Sequence, residues 1–69
     1  MERVSVSSSN IDSVGYDEYS STLEIAFHNG SVYQYFDVPQ QEYIALVNAG
    51  SVGGYLANNI KGKYRYSKI

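Results

Sequence analysis

The stretch from Thr22 to Asp37 constrains this chain more than any other. Leu23, Ile25 and Phe27 alternate with Thr22, Glu24 and Ala26, the period-two pattern of a strand that buries one face. His28-Asn29-Gly30-Ser31 follows, and Asn and Gly tolerate the positive φ angles that tight hairpin turns need. Val32 to Asp37 reads as the return strand. Upstream, Ser13 to Glu18 reads as another strand with Val14 and Tyr16 on one face, joined through a turn at Tyr19-Ser20-Ser21-Thr22. The pattern predicts an antiparallel three-stranded meander. Residues 1–10 read as a loose lead-in, where Val4 and Val6 alternate with polar neighbours and can add a short edge strand.

The remainder changes period. Pro39 suits the opening of a helix, because its missing N–H costs nothing there and its φ is already set. Tyr43, Leu46 and Val47 recur at helical spacing, and Gly50 can supply a left-handed C-terminal cap. Ser51 is a suitable N-cap for a second helix, with Val52, Tyr55, Leu56, Asn59 and Ile60 on one side. Gly53 and Gly54 each weaken that helix by about 1 kcal/mol relative to alanine, so it is short or leans on packing. Gly62 ends it, and Lys63 to Ile69 reads as a final extended segment. Strands first and helices after give an α+β fold, with two short helices packed on one face of the meander and residues 1–69 forming a single domain.

Register decides where the tyrosines point. With Asn29-Gly30 as a two-residue turn, Ile25 lies opposite Gln34, and Tyr33 and Tyr35 look outward from the face the helices do not cover. With a three-residue loop, His28-Asn29-Gly30, and a bulge at Gly30, the register slips by one. Tyr33 and Tyr35 then join Leu23, Ile25 and Phe27 in the core. The first register is favoured here because it buries Val32 and Phe36.

Composition excludes several functions. The 69 residues include no cysteine, so no disulfide or thiolate zinc site is available. A chain of this length buries only about 60% of its unfolded surface, and one modest apolar core must hold it. No run of apolar residues is long enough to span a membrane, and the first residues lack a secretory pattern; a cytoplasmic location is the default expectation. The single histidine, His28, sits in a turn without the acid and serine that a triad requires. Asp17 and Glu18 are strand neighbours pointing to opposite faces, so they cannot act as a general acid/base pair. Gly50-Ser51-Val52-Gly53 matches a G-x-x-G pattern used to clamp RNA backbone, but its middle positions carry no cation and it reads better as helix capping. No catalytic set, metal site or cofactor is expected.

The order and spacing of several motifs resemble the KTSC domain family. They are Val14-Gly15-Tyr16-Asp17, then Leu23-x-Ile25-x-Phe27-x-Asn29-Gly30, then Tyr33-Gln34-Tyr35-x-x-Val38-Pro39. Ala49, Ser51, Gly53, Tyr55, Ile60-Lys61 and Tyr64-Arg65-Tyr66 continue the likeness, which covers nearly the whole chain from about Val4. The chain departs at Leu56-Ala57, where members often carry an aromatic followed by Asn, and that puts in doubt any polar role there. The resemblance implies a small domain found at the C-terminus of some lysyl-tRNA synthetases and as stand-alone bacterial or phage proteins. Its function is not established, and RNA binding is suggested by the synthetase context.

Two functions follow as expectations for a non-catalytic binding module. The favoured one is a protein-interaction or self-associating module that presents a tyrosine-rich sheet face to an unidentified protein or to itself. The alternative is binding of RNA or single-stranded nucleic acid. The net charge is −2, yet four of the five basic residues fall at Lys61, Lys63, Arg65 and Lys68. There, Tyr33 and Tyr35 would stack bases while those cations contact phosphate. Tyr64 and Tyr66 complete the candidate site.

Overall fold

The computed structural model describes residues 1–69. Five antiparallel strands form one sheet in sequence order: β1 Arg3–Ser5, β2 Ile11–Asp17, β3 Thr22–Phe27, β4 Val32–Tyr35 and β5 Tyr66–Lys68. Between β4 and β5 the chain forms α1 (Gln40–Val47) and α2 (Val52–Tyr55), the latter running on as a π-helical turn, Leu56–Ile60. The α+β class agrees with the sequence pattern; the sheet has two more strands than the core meander. Arg3–Ser5 adds one edge, opposite Ser13, Val14 and Gly15. A Cβ on Gly15 would come within 2.8 Å of the Glu2 carbonyl oxygen, so β1 lies this close only beside glycine. The C-terminal extended segment adds the other edge, pairing with β4 through Tyr33–Lys68, Gln34–Ser67 and Tyr35–Tyr66.

The β3–β4 hairpin takes the slipped register, which corrects the favoured expectation. Leu23 pairs with Tyr35, Ile25 with Tyr33 and Ala26 with Val32. The Phe27 N–H donates to Ser31 O at 2.8 Å, and the Gly30 N–H donates back to Phe27 O at 3.0 Å. Gly30 has φ +92°, the left-handed bulge residue that this three-residue loop requires. Tyr33 and Tyr35 therefore share a face with Leu23 and Ile25. The expected outward-facing tyrosine sheet does not form.

That shared face carries the helices. Ile11, Val14, Leu23, Ile25, Tyr35, Val38, Leu46, Val52, Leu56 and Ile60 make one buried cluster. Each fully buried aliphatic side chain contributes about 1.5–3 kcal/mol relative to exposure. Ser51 caps α2 as its sequence suggests, its hydroxyl accepting from the Gly54 N–H at 3.0 Å. Leu56 and Ile60 stay buried through the wider π turn, which closes with the Lys61 N–H donating to Leu56 O at 2.9 Å. Gly50 is not the left-handed cap of α1: positive φ among the glycines is confined to Gly30 and Gly62. Asn48 ends that helix instead, its side-chain amide donating to Ile44 O at 2.8 Å.

The opposite face of the sheet is small and polar. Ser13, Thr22, Glu24 and Ala26 are buried there by one another and by neighbouring strands. The Glu24 carboxylate accepts from Arg3 at 2.6 Å and from Gln34 at 2.9 Å, which satisfies the charge where burial would otherwise be costly. No helix is long and apolar enough to cross a membrane.

Candidate functional site

Helix coverage of the sheet is incomplete. It seals Tyr35, which is 3% exposed, but stops short of β5 and the outer half of β4. The result is a groove of about 470 Å³ lined by Phe27, Asn29, Ser31, Tyr33, Tyr35, Lys61, Gly62 and Tyr66. Its walls follow from the local structure. The slipped hairpin turns Tyr33 toward Phe27, with ring centroids 5.7 Å apart and edge to face. Pairing of β5 with β4 sets the Tyr66 ring 5.9 Å from Tyr33 and 5.8 Å from Tyr35. These separations fall in the favourable range for aromatic pairs. The end of the π turn brings the Lys61 ammonium 6.0 Å from the Phe27 ring centroid, at the edge of cation–π reach.

Of the sequence-proposed residues, Tyr33, Tyr35, Tyr66 and Lys61 meet in this groove. Lys68 lies on β5 directly opposite Tyr33 and, two residues from Tyr66, on the same face. Lys63 and Arg65 line an adjoining hollow with Phe36, Gly62, Tyr64 and Tyr66, so Tyr66 stands between the two concavities. Arg65 is already engaged: it donates to Asp37 at 2.7 Å, and its guanidinium lies 5.7 Å from the Phe36 ring. Tyr64 is turned toward α1, where its hydroxyl donates to Glu42 at 2.9 Å. The Tyr55 hydroxyl donates to the other oxygen of that carboxylate.

Sequence reasoning did not place Phe27, Asn29 and Ser31 in the site, nor did it give Glu42 a role. The available signal was the His28-Asn29-Gly30 loop: the slipped register carries Phe27 and the turn onto the tyrosine side. His28 itself points away from the groove, its Nε2 3.1 Å from Ser8 O.

The groove contains no carboxylate. Glu24 lies on the other face of the sheet, Glu42 is held by two tyrosines, and Asp37 is paired with Arg65. A chain of net negative charge thus presents a locally cationic aromatic surface.

Three phenols hold their protons more tightly than free tyrosine. Burial, followed by the neighbouring Tyr33 and Tyr66, raises Tyr35. The hydrogen bond to Glu42 is the main cause at Tyr55, and burial followed by that bond at Tyr64. A pKa raised on folding contributes stability that is fully present below the unfolded value, about 10, and is lost as pH climbs through the folded value. The melting temperature is expected to fall as pH is taken above about 10, with tyrosinate absorbance appearing later in the folded chain than in urea. Glu42→Ala should bring two of the three late titrations back toward the free value and leave the Tyr35 one unmoved. Identical titration of the folded and unfolded chains would refute these contacts.

Comparison with known proteins places this geometry. The KTSC domain model matches residues 7–64. The chain belongs to the KTSC domain family. A KTSC domain protein of Yersinia pestis has the same fold, with a TM-score of 0.93, 42% identity and coverage of 99% of this chain and 96% of that one. An uncharacterised protein of Stutzerimonas stutzeri is 39% identical over 70 residues, covering 100% of this chain and 99% of its own length. A lysine–tRNA ligase of Trichormus variabilis is 43% identical over 54 residues, which are 78% of this chain and 10% of that enzyme. A KTSC domain therefore occurs both at nearly full chain length and as a small part of a much larger enzyme.

Proposed function

We propose that this KTSC domain is a non-catalytic binding module that takes single-stranded nucleic acid, RNA in the first place, into the aromatic groove. The observation that carries the reading is the meeting of Phe27, Tyr33 and Tyr66 with Lys61 around one concavity that holds no carboxylate. Aromatic rings offer stacking surfaces worth about 1–3 kcal/mol per base, and lysines along the path supply phosphate contacts. Of the rings that line the groove, Tyr66 is the most available, at 62% exposed. A duplex already has its bases stacked on one another, so a single strand, whose bases are free to stack on protein rings, is the fitting partner. The lysine–tRNA ligases that share this domain act on an RNA by their name, which agrees with the reading.

Lys61, Lys63 and Lys68 are the cations free to meet phosphate, since Arg65 is paired. Three such contacts predict that log affinity for a short single-stranded RNA falls against log salt with a slope of about −2. Anisotropy titrations at several salt concentrations measure it. Absence of binding at low salt would end the proposal.

A second reading is favoured by the open edge of β5. Residues 65, 67 and 69 turn their backbone groups toward β4, as the bonds from Phe36 N–H to Arg65 O and from Ile69 N–H to Val32 O show. Tyr66 and Lys68 consequently direct theirs outward, flanked by the exposed Tyr66 and Ile69 side chains. An extended segment of a protein partner or of a second copy can add there as a strand. Sedimentation across a wide concentration range tests self-association, and a persistent monomer restricts this reading to a foreign partner.

A further inference from the structure

The turn that closes one end of the groove has a chemical polarity, and we infer that it selects among bases: the groove prefers keto bases, guanine and uracil, over amino bases, adenine and cytosine. This rests on the reading of the groove as a nucleic-acid site and extends it to the base preference.

The side-chain amide of Asn29 is orientationally fixed. Its Oδ1 accepts from the Ser31 N–H at 2.9 Å, a bond that only the oxygen can make. The amide nitrogen is left with two N–H groups free to donate, and Asn29 lines the groove. Beside it are the Ser31 hydroxyl and the Lys61 ammonium, and both residues line the same groove. Lys61 can only donate. Burial holds the proton on Tyr35, and the tyrosine and serine hydroxyls can donate or accept, so Asn29 Nδ2 and Lys61 set the polarity. No Asp or Glu side chain lines the groove. The hairpin end of the groove is thus a wall rich in donors.

Bases differ in what they offer such a wall. Guanine presents the O6 and N7 acceptors together, and uracil presents its carbonyl oxygens. Adenine and cytosine place an exocyclic amino donor at the corresponding edge, where it would meet a donor. A mismatched donor loses its hydration without gaining a partner. Stacking alone predicts a different order, since it favours the larger purine rings whatever their edges. Oligouridylate against oligoadenylate separates the two: uracil stacks less well than adenine but has the matching edge.

The test uses the full chain and fluorescently labelled oligouridylate, oligoadenylate and oligocytidylate of equal length, titrated by anisotropy at fixed low salt. Oligouridylate should bind about fivefold or more tightly than either of the others, the effect of one well-placed base contact. Asn29→Asp keeps the oxygen that accepts from Ser31 and leaves Asp-Gly, itself a favourable turn dipeptide, so the hairpin is retained. It replaces the donor nitrogen with an acceptor, and the preference should shrink or turn toward adenine while the melting temperature holds. Equal binding of all three, tighter binding of oligoadenylate, or an unchanged preference in Asn29→Asp would overturn base selection and leave the groove as a stacking site. No binding of any oligonucleotide would remove the underlying site itself.

Discussion

Replacing Ile25 with alanine is expected to lower the unfolding free energy by about 2–5 kcal/mol. Ile25 is fully buried at the middle of the central strand, between Val14 on β2 and Tyr33 on β4. Its removal leaves a void bounded by strands on both sides and by the helices above, where little can collapse. In a chain below roughly 70–80 residues one core rarely supplies more than about 3–5 kcal/mol. The variant should therefore stand close to its unfolding midpoint without denaturant. Urea titration followed by circular dichroism measures the change. Ile44→Ala is the matched control: Ile44 is 50% exposed on α1, and its truncation should cost well under half as much. Equal midpoints for the two variants would mean that Ile25 is not a core residue and that the sheet has been assigned the wrong inner face.

The same stretch shows how far the sequence could be read. Alternation in Leu23–Phe27 identified β3 and its buried face correctly, since no other element competes for a strict period of two. Pro39, Ser51 and Gly62 marked the helix boundaries through local chemistry that tertiary packing did not override. The hairpin register was not legible, because His28-Asn29-Gly30 accepts both a two-residue and a three-residue loop. Burial of Val32 and Phe36 was the wrong criterion. Tyr35 can bury its ring beside Leu23, whereas Phe36, on the other face, lies beneath the Arg65 guanidinium and remains only partly buried. The error moved the tyrosines from a broad outward face into a groove, and with them the balance between the two functional expectations. The broad face favours a protein partner; a groove lined by rings and Lys61 favours the proposed strand of bases. The C-terminal segment was recognisable as extended, but its partner strand lies thirty-odd residues away in sequence, a separation that local patterns do not report. Glu42 looked like an ordinary solvated helix acid because its two phenol partners come from other elements.

Tyr66→Ala is expected to weaken binding of short single-stranded RNA by about tenfold or more, the loss of one stacking platform. Tyr66 is the ring that both concavities share, and it is more than half exposed. The folded chain should tolerate the change. What it loses within the protein is contact with Tyr33 and Tyr35, about 0.5–1.5 kcal/mol for each aromatic pair, and β5 keeps its backbone bonds to β4 through residues 65 and 69. Two further variants separate stacking from other causes. Tyr66→Phe retains the ring and should bind nearly as the parent does. Tyr64→Phe removes only the hydroxyl that donates to Glu42, so it should lower the melting temperature and leave affinity alone. Anisotropy and thermal melts on the same samples give both readouts. If Tyr66→Ala binds as tightly as the parent, stacking in the groove is wrong. If Tyr66→Phe loses as much as Tyr66→Ala, the hydroxyl and not the ring is the contact, and the groove reads polar edges instead of base faces.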